Sequence, residues 1–166
     1  MGKMQLGQRA GQNLITSYMN TFPNYTFREA QLSDLMFYYD SLSSTELVLI
    51  DSFEFEINFK QKFEDVNYFM FVIEDLGKPV GLVVLQKVKN LSDPSPWVEI
   101  LEFFILSKYR KLQAADYFYQ KIEEYVKEMG IFKINVACKI NSTITQHFYT
   151  KRGFKIQKKL YAKFIG

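Results

Sequence analysis

The amino-acid sequence predicts an α+β (mixed α/β) domain built around one largely antiparallel sheet. Three observations carry that expectation. Six strand-like stretches, aromatic and β-branched or alternating, recur along the chain, and helical stretches interrupt them in the order β-α-α-β-β-β-α-β-α-β. Asp75-Leu76-Gly77-Lys78-Pro79 lies between two apolar runs, the mark of a hairpin turn. The chain of 166 residues, 48% of them apolar, is long enough for one sizeable core.

The elements follow in order. Residues 1–24 carry no sustained pattern and are set apart as an N-terminal segment, leaving 25–166 as the domain. Tyr25 to Ala30 is a short aromatic strand, and Ser33 is placed to cap a following helix whose inner face holds Leu35, Tyr38, Tyr39 and Leu42. Residues 44–66 match both periods, and their length and lack of turn residues favour a helix. Tyr68 to Glu74 and Val80 to Val88 form the hairpin. Asn90 to Pro96 is a loop, after which Trp97 to Leu106 reads as a long strand that carries two carboxylates, Glu99 and Glu102. From Ala114 the period turns helical through Phe118, Ile122, Val126 and Met129, and Gly130 is placed to end the helix. Ile131 to Cys138 alternates as a strand. Asn141 or Ser142 can cap a short helix that Gly153 ends, and Phe154 to Ile165 is the last strand.

Composition excludes several classes of function. No apolar run approaches the roughly 18 residues of a membrane span, and the first twenty residues lack the apolar stretch of a secretory signal. One cysteine, Cys138, allows neither an internal disulfide nor a cysteine-rich zinc site, and the lone His147 makes no metal centre, so a reducing cytoplasm without a resident metal is expected. The basic, aromatic C-terminus has no RNA-binding motif beside it, and strand alternation accounts for it without nucleic acid. The net charge of +3 conceals two opposed regions. Residues 31–75 hold ten acids against two lysines, a net of −8, whereas residues 76–166 carry +9.

Chemistry is expected where the long strand enters the helix, at Ser107 to Ala115. The first turn of a helix directs unpaired N–H groups outward, Arg110 and Lys111 add cations, and Ala114 and Ala115 are small enough for an anion to approach. The alternative is an ordinary turn with solvated basic residues. Leu106-Ser107-Lys108-Tyr109-Arg110-Lys111-Leu112-Gln113-Ala114-Ala115 resembles the acyl-CoA-binding segment of the GNAT N-acetyltransferase superfamily, Arg/Gln-x-x-Gly-x-Gly/Ala, with Arg110 and Ala115 matching and Gln113 in the place of a Gly. Asn141 and the run Phe148-Tyr149-Thr150-Lys151-Arg152-Gly153-Phe154 are similar to that family's Asn…Phe-Tyr-x-Lys-x-Gly-Phe ending, and Phe27-Arg28-Glu29-Ala30…Asp34 resembles its opening.

The resemblance implies a GNAT-like fold with a twisted sheet of about six to seven strands, flanked by about four helices. It also implies acetyl-CoA as acyl donor, with the pyrophosphate on the backbone of Lys111, Leu112, Gln113, Ala114 and Ala115 beside Arg110. Pantetheine would pair with Phe104, Ile105 and Leu106, and Asn141, Tyr149 and Lys151 would complete the donor site. Gln113, at a helix start, is expected to keep a negative φ.

An amine must shed a proton before it attacks a thioester, and a strand carboxylate is the natural base. Glu99 and Glu102 are three residues apart, so regular alternation sends them to opposite faces, with Glu102 nearer the expected thioester. The alternative for each is an ion pair in the sheet. Tyr149 matches the family's general acid; its alternative is packing. Together these imply an N-acetyltransferase acting on a small-molecule or peptide amine, with the charge asymmetry favouring a cationic acceptor. A non-catalytic acyl-CoA-binding or regulatory module on the same fold is the other reading, and monomer and homodimer are both open.

Overall fold

The computed structural model describes residues 24–45, 51–92, 94–111, 113–139, 141–157 and 162–163. Among them five strands form one sheet in sequence order: β1 (Tyr25–Glu29), β2 (Tyr68–Asp75), β3 (Lys78–Val88), β4 (Trp97–Ile105) and β5 (Ile134–Val136). The first four are antiparallel neighbours, and β5 runs parallel to β4. The helices are α1 (Leu35–Ser43), α2 (Ser52–Glu64), α3 (Ala114–Glu128) and α4 (Thr143–Thr150). The strand expected over 154–165 is not formed at 154–157, and its residues 158–161, 164 and 165 lie outside the described set, as do residues 1–23. The strand expected over 131–138 shortens to three residues.

Local chemistry explains the joints. The β2–β3 turn needs two left-handed residues, Leu76 at φ 50° and Gly77 at φ 74°, the combination a two-residue hairpin loop requires. In α2, the Asp51 carboxylate accepts the N–H groups of Phe53 and Glu54, each at 2.9 Å. The helix α3 ends as anticipated. Gly130 takes φ 69°, its N–H donates to Lys127 O, and the N–H of Ile131 donates to Val126 O.

Ser33 is not the cap of α1. A 3-10 turn, Leu32–Asp34, precedes the helix, and the Asp34 carboxylate accepts the N–H of Gln31 at 2.7 Å. Arg28 on β1 grips that carboxylate through both terminal nitrogens, at 2.7 and 2.9 Å, and reaches Glu74 on β2. Burial would raise the Asp34 pKa, but the hydrogen bonds from Arg28 and Gln31 outweigh it and hold the carboxyl below its usual range.

The sheet has two covered faces. On one, Tyr38 and Phe59 of α1 and α2 pack on Met70, Val72, Leu82, Val84 and Phe104. On the other, Phe118, Ile122 and Val126 of α3, with Tyr149 of α4, pack on Phe71, Val83, Leu85 and Ile100. Each buried side chain of this size contributes about 1.5–3 kcal/mol. The phenol of Tyr38 donates to the carbonyls of Phe71 and Val83, so its burial leaves no polar group unmet. Among the described residues no helix is long and apolar enough to cross a membrane.

Candidate active site

The site begins with a defect in β4. Its pairing with β3 steps from Leu85 opposite Ile100 to Val84 opposite Glu102, leaving Leu101 as an extra residue, a β-bulge. The pairing with β5 covers Val98, Glu99 and Ile100, and stops there. Val98–Ile100 is therefore flanked on both sides, whereas residues 101–105 have, among the described residues, a strand neighbour only at β3.

Backbone direction follows from the ladder. Leu106 N–H donates to Val80 O at 2.9 Å, so by alternation Phe104 and Leu106 direct their backbone groups at β3, and Phe103 and Ile105 direct theirs at the open side. The expected edge of Phe104, Ile105 and Leu106 is thus corrected. Ile105 is presented, Phe103 joins it, and Phe104 and Leu106 are already hydrogen-bonded within the sheet. Arg110 folds back here, its Nε donating to Ile105 O at 3.0 Å while its guanidinium lies 5.9 Å from the Phe104 ring.

The bulge also overturns the face assignment of the two carboxylates. Glu102 lies opposite Val84 and Glu99 opposite Gln86, and residues 84 and 86 share a face. Because Leu101 adds one residue, Glu99 and Glu102 both stand on the α1/α2 face, three positions apart yet on one side. They differ in setting. Glu99 accepts the indole N–H of Trp97 at 3.1 Å in the closed half, whereas Glu102 is exposed at the start of the open half.

The strand runs through a 3-10 turn, Ser107–Tyr109, into α3. Lys111 and Gln113 are exposed, Ala114 is buried, Ala115 is half-buried, and Leu112 lies outside the described residues. Gln113, expected at negative φ, instead has φ 62° and ψ 6°. The turn into α3 is left-handed at this position, which is the physical reason glycine suits it, and a side chain there costs on the order of 1–2 kcal/mol.

Tyr149 is 4% exposed, on the α3/α4 face. Its ring meets Phe148 and Phe154 at 5.1 Å each. Burial raises its pKa well above the ordinary phenol value, nearby Cys138 adds to the rise, and the charge of Arg152 opposes it. The phenol therefore keeps its proton at neutral pH. Burial likewise raises the Cys138 thiol, a packing residue rather than a thiolate. Asn141 is exposed in the turn before α4, Lys151 is its exposed C-cap, and His147 is exposed on the same helix. Among the described residues no cluster of three His, Cys, Asp or Glu side chains is placed to hold a metal ion.

These elements bring the open edge of β4, the α3 entry and a buried phenol to one end of the sheet, in a mixed sheet of the GNAT type. The model of the acetyltransferase (GNAT) family matches residues 30–154, and the chain belongs to that family. Solved structures agree on the fold. A transcriptional regulator from Bacillus halodurans is 21% identical with a TM-score of 0.75, covering 84% of this chain and 99% of its own. A glucosamine-6-phosphate N-acetyltransferase from Arabidopsis thaliana is 19% identical with a TM-score of 0.69, covering 86% and 99%. AAC(6')-Iy, solved in complex with the bisubstrate analog CoA-S-monomethyl-acetylneamine, is 14% identical with a TM-score of 0.73, covering 86% and 98%. No curated protein matches the chain.

Proposed function

We propose that this chain transfers an acetyl group from acetyl-CoA to a primary amine by direct attack, without a covalent enzyme intermediate, in the cytoplasm. The observation that carries the reading is the open half of β4, which turns the backbone of Phe103 and the N–H of Ile105 outward beside the entry to α3, where Arg110 already holds the Ile105 carbonyl. An extended amide-bearing chain can pair there as an added strand, and its anionic end then meets the first turn of α3 with Lys108, Arg110 and Lys111 around it. The residues present fit acetyl-CoA, which supplies an activated thioester acyl group.

Glu102 and Tyr149 lie on opposite faces of the sheet, and the gap beyond Ile100 is where both can address one thioester. Glu102, directly or through water, takes one proton from the acceptor ammonium. As nitrogen bonds to the acyl carbon and the carbon–sulfur bond breaks, Tyr149 gives its proton to sulfur. The second proton on nitrogen leaves to water, from which Tyr149 recovers its own. A positioned acid or base of this kind contributes roughly 10²–10⁴ in rate. The acidic side chains Asp40, Glu54 and Glu64 on α1 and α2, the helices over the Glu102 face, favour a cationic amine acceptor, while Glu56 is paired with Lys60.

Release of free thiol from acetyl-CoA across a panel of amines, with polyamines, aminoglycosides and basic peptides included, tests the reading. Turnover highest with the cationic members is expected. The side chain and left-handed backbone at Gln113, where the family motif has glycine, favour a second reading, a non-catalytic acyl-CoA-binding module. Tight acetyl-CoA binding by calorimetry with no thiol release from any acceptor would establish that alternative.

A further inference from the structure

We propose that Arg152 is a positioning residue, which locks α4 onto the first turn of α3 and thereby sets Tyr149 against the open half of β4. Arg152 stands at an unspecified position of the ending Phe-Tyr-x-Lys-x-Gly-Phe, so the motif itself gives it no role. It lies just past the C-cap of α4, and its side chain is only 14% exposed. Both terminal nitrogens and the face of the guanidinium are engaged across two elements. One terminal nitrogen donates to Phe148 O at 2.6 Å, the other pairs with the Asp116 carboxylate in the first turn of α3, and the cation lies 3.5 Å from the centre of the Phe148 ring and 5.4 Å from that of Tyr119.

Phe148 carries the constraint onward. Its ring is 5.6 Å from Phe103, an open-edge residue of β4, and 5.1 Å from Tyr149. A continuous chain thus runs from Asp116 through Arg152 and Phe148 to the strand edge on one side and the phenol on the other. Arginine suits this position as lysine does not, because a planar cation can stack on one ring while its two ends hydrogen-bond in different directions. The pair also neutralises Asp116, whose carboxylate would otherwise oppose an anion at the same helix turn.

The role in catalysis rests on the acetyltransferase reading; the hold on α4 does not, and the two are tested separately. In Arg152→Met, which keeps the aliphatic stem, hydrogen exchange over 143–153 should quicken about tenfold with the rest of the sheet unchanged. Its kcat should fall roughly 10- to 100-fold, as for a misplaced catalytic group, while KM for acetyl-CoA stays within about threefold. Asp116→Asn should give a smaller loss of the same kind, and Arg152→Lys should restore less than half of the lost kcat. Parent-like exchange in α4, an unchanged kcat, a loss confined to KM, or full restoration by lysine would each overturn the proposal. If the parent protein releases no thiol with any acceptor, the acetyltransferase reading falls, and exchange in α4 alone decides whether Arg152 holds the helix.

Discussion

The two halves of β4 are chemically alike and structurally opposite. Trp97–Ile100 and residues 101–105 are both apolar runs with one glutamate apiece, and both pair with β3. The first is closed on its far side by β5, and among the described residues the second is not. One extra residue at Leu101 and one short strand make the difference. The closed half ties Glu99 to Trp97, and the open half turns the backbone of Phe103 and the N–H of Ile105 away from β3, beside Glu102 and α3. A sheet can thus make a binding edge in its interior by ending one strand early, without exposing the long outer edge that invites aggregation.

The largest effect should come from the buried phenol proposed as the acid. Tyr149→Phe is expected to lower kcat by about 10²–10⁴ with acetyl-CoA affinity unchanged, read by steady-state kinetics beside calorimetry. An unaltered kcat would remove the acid role. Next, Glu102→Gln should cost on the order of 10² in kcat, whereas Glu99→Gln, in the closed half, should stay near the parent rate. Equal losses would erase the distinction between the halves.

Stability changes are smaller. Gly81 on β3 lies opposite Ile105, on the paired side of the open half, and a Cβ there would sit 2.4 Å from Ile105 Cδ1, 2.6 Å from Ile73 Cγ2 and 2.9 Å from Phe104 O. Gly81→Ala should destabilise by about 1–3 kcal/mol in urea unfolding. Gln113→Gly should stabilise by about 0.5–1 kcal/mol by relieving the left-handed side chain, and should tighten acetyl-CoA binding as the backbone becomes more accessible. A drop in melting temperature would show that the Gln113 side chain repays its strain.

Far from β4, the Arg28–Asp34 pair predicts an acid limb. The folded-state carboxyl pKa lies below the unfolded value, so the pair's contribution is present in full above about pH 4 and is lost as pH falls through the lower folded value. Urea midpoints for Asp34→Asn should therefore converge on those of the parent below that range.

Much of this was legible in the sequence, because helices and strands announce themselves by period and Gly77 and Gly130 by their place between periods. The fold class and the site of the α3 entry came from those signals. What escaped was the bulge, since Leu101 is neither glycine nor proline and a bulge changes register without changing composition. Missing it inverted the relation between Glu99 and Glu102 and shifted the open edge by one residue. The length of β5 was hidden for a related reason: alternation shows which residues can pair, not how far a partner runs alongside. Arg152 reads as another surface cation until Asp116, 36 positions away, is brought to it. Gln113 shows the opposite case, where the family motif asked for glycine and the structure explains the request with a φ of 62°.

The open half of β4 is the proposed donor edge. Titrating acetyl-CoA into nitrogen-15-labelled protein and following backbone amides provides the test. The amides of Phe103 and Ile105 should shift and gain exchange protection, while that of Val98, already donating to Lys133 O at 3.0 Å, should not. Saturable binding that leaves Phe103 and Ile105 unperturbed would contradict it.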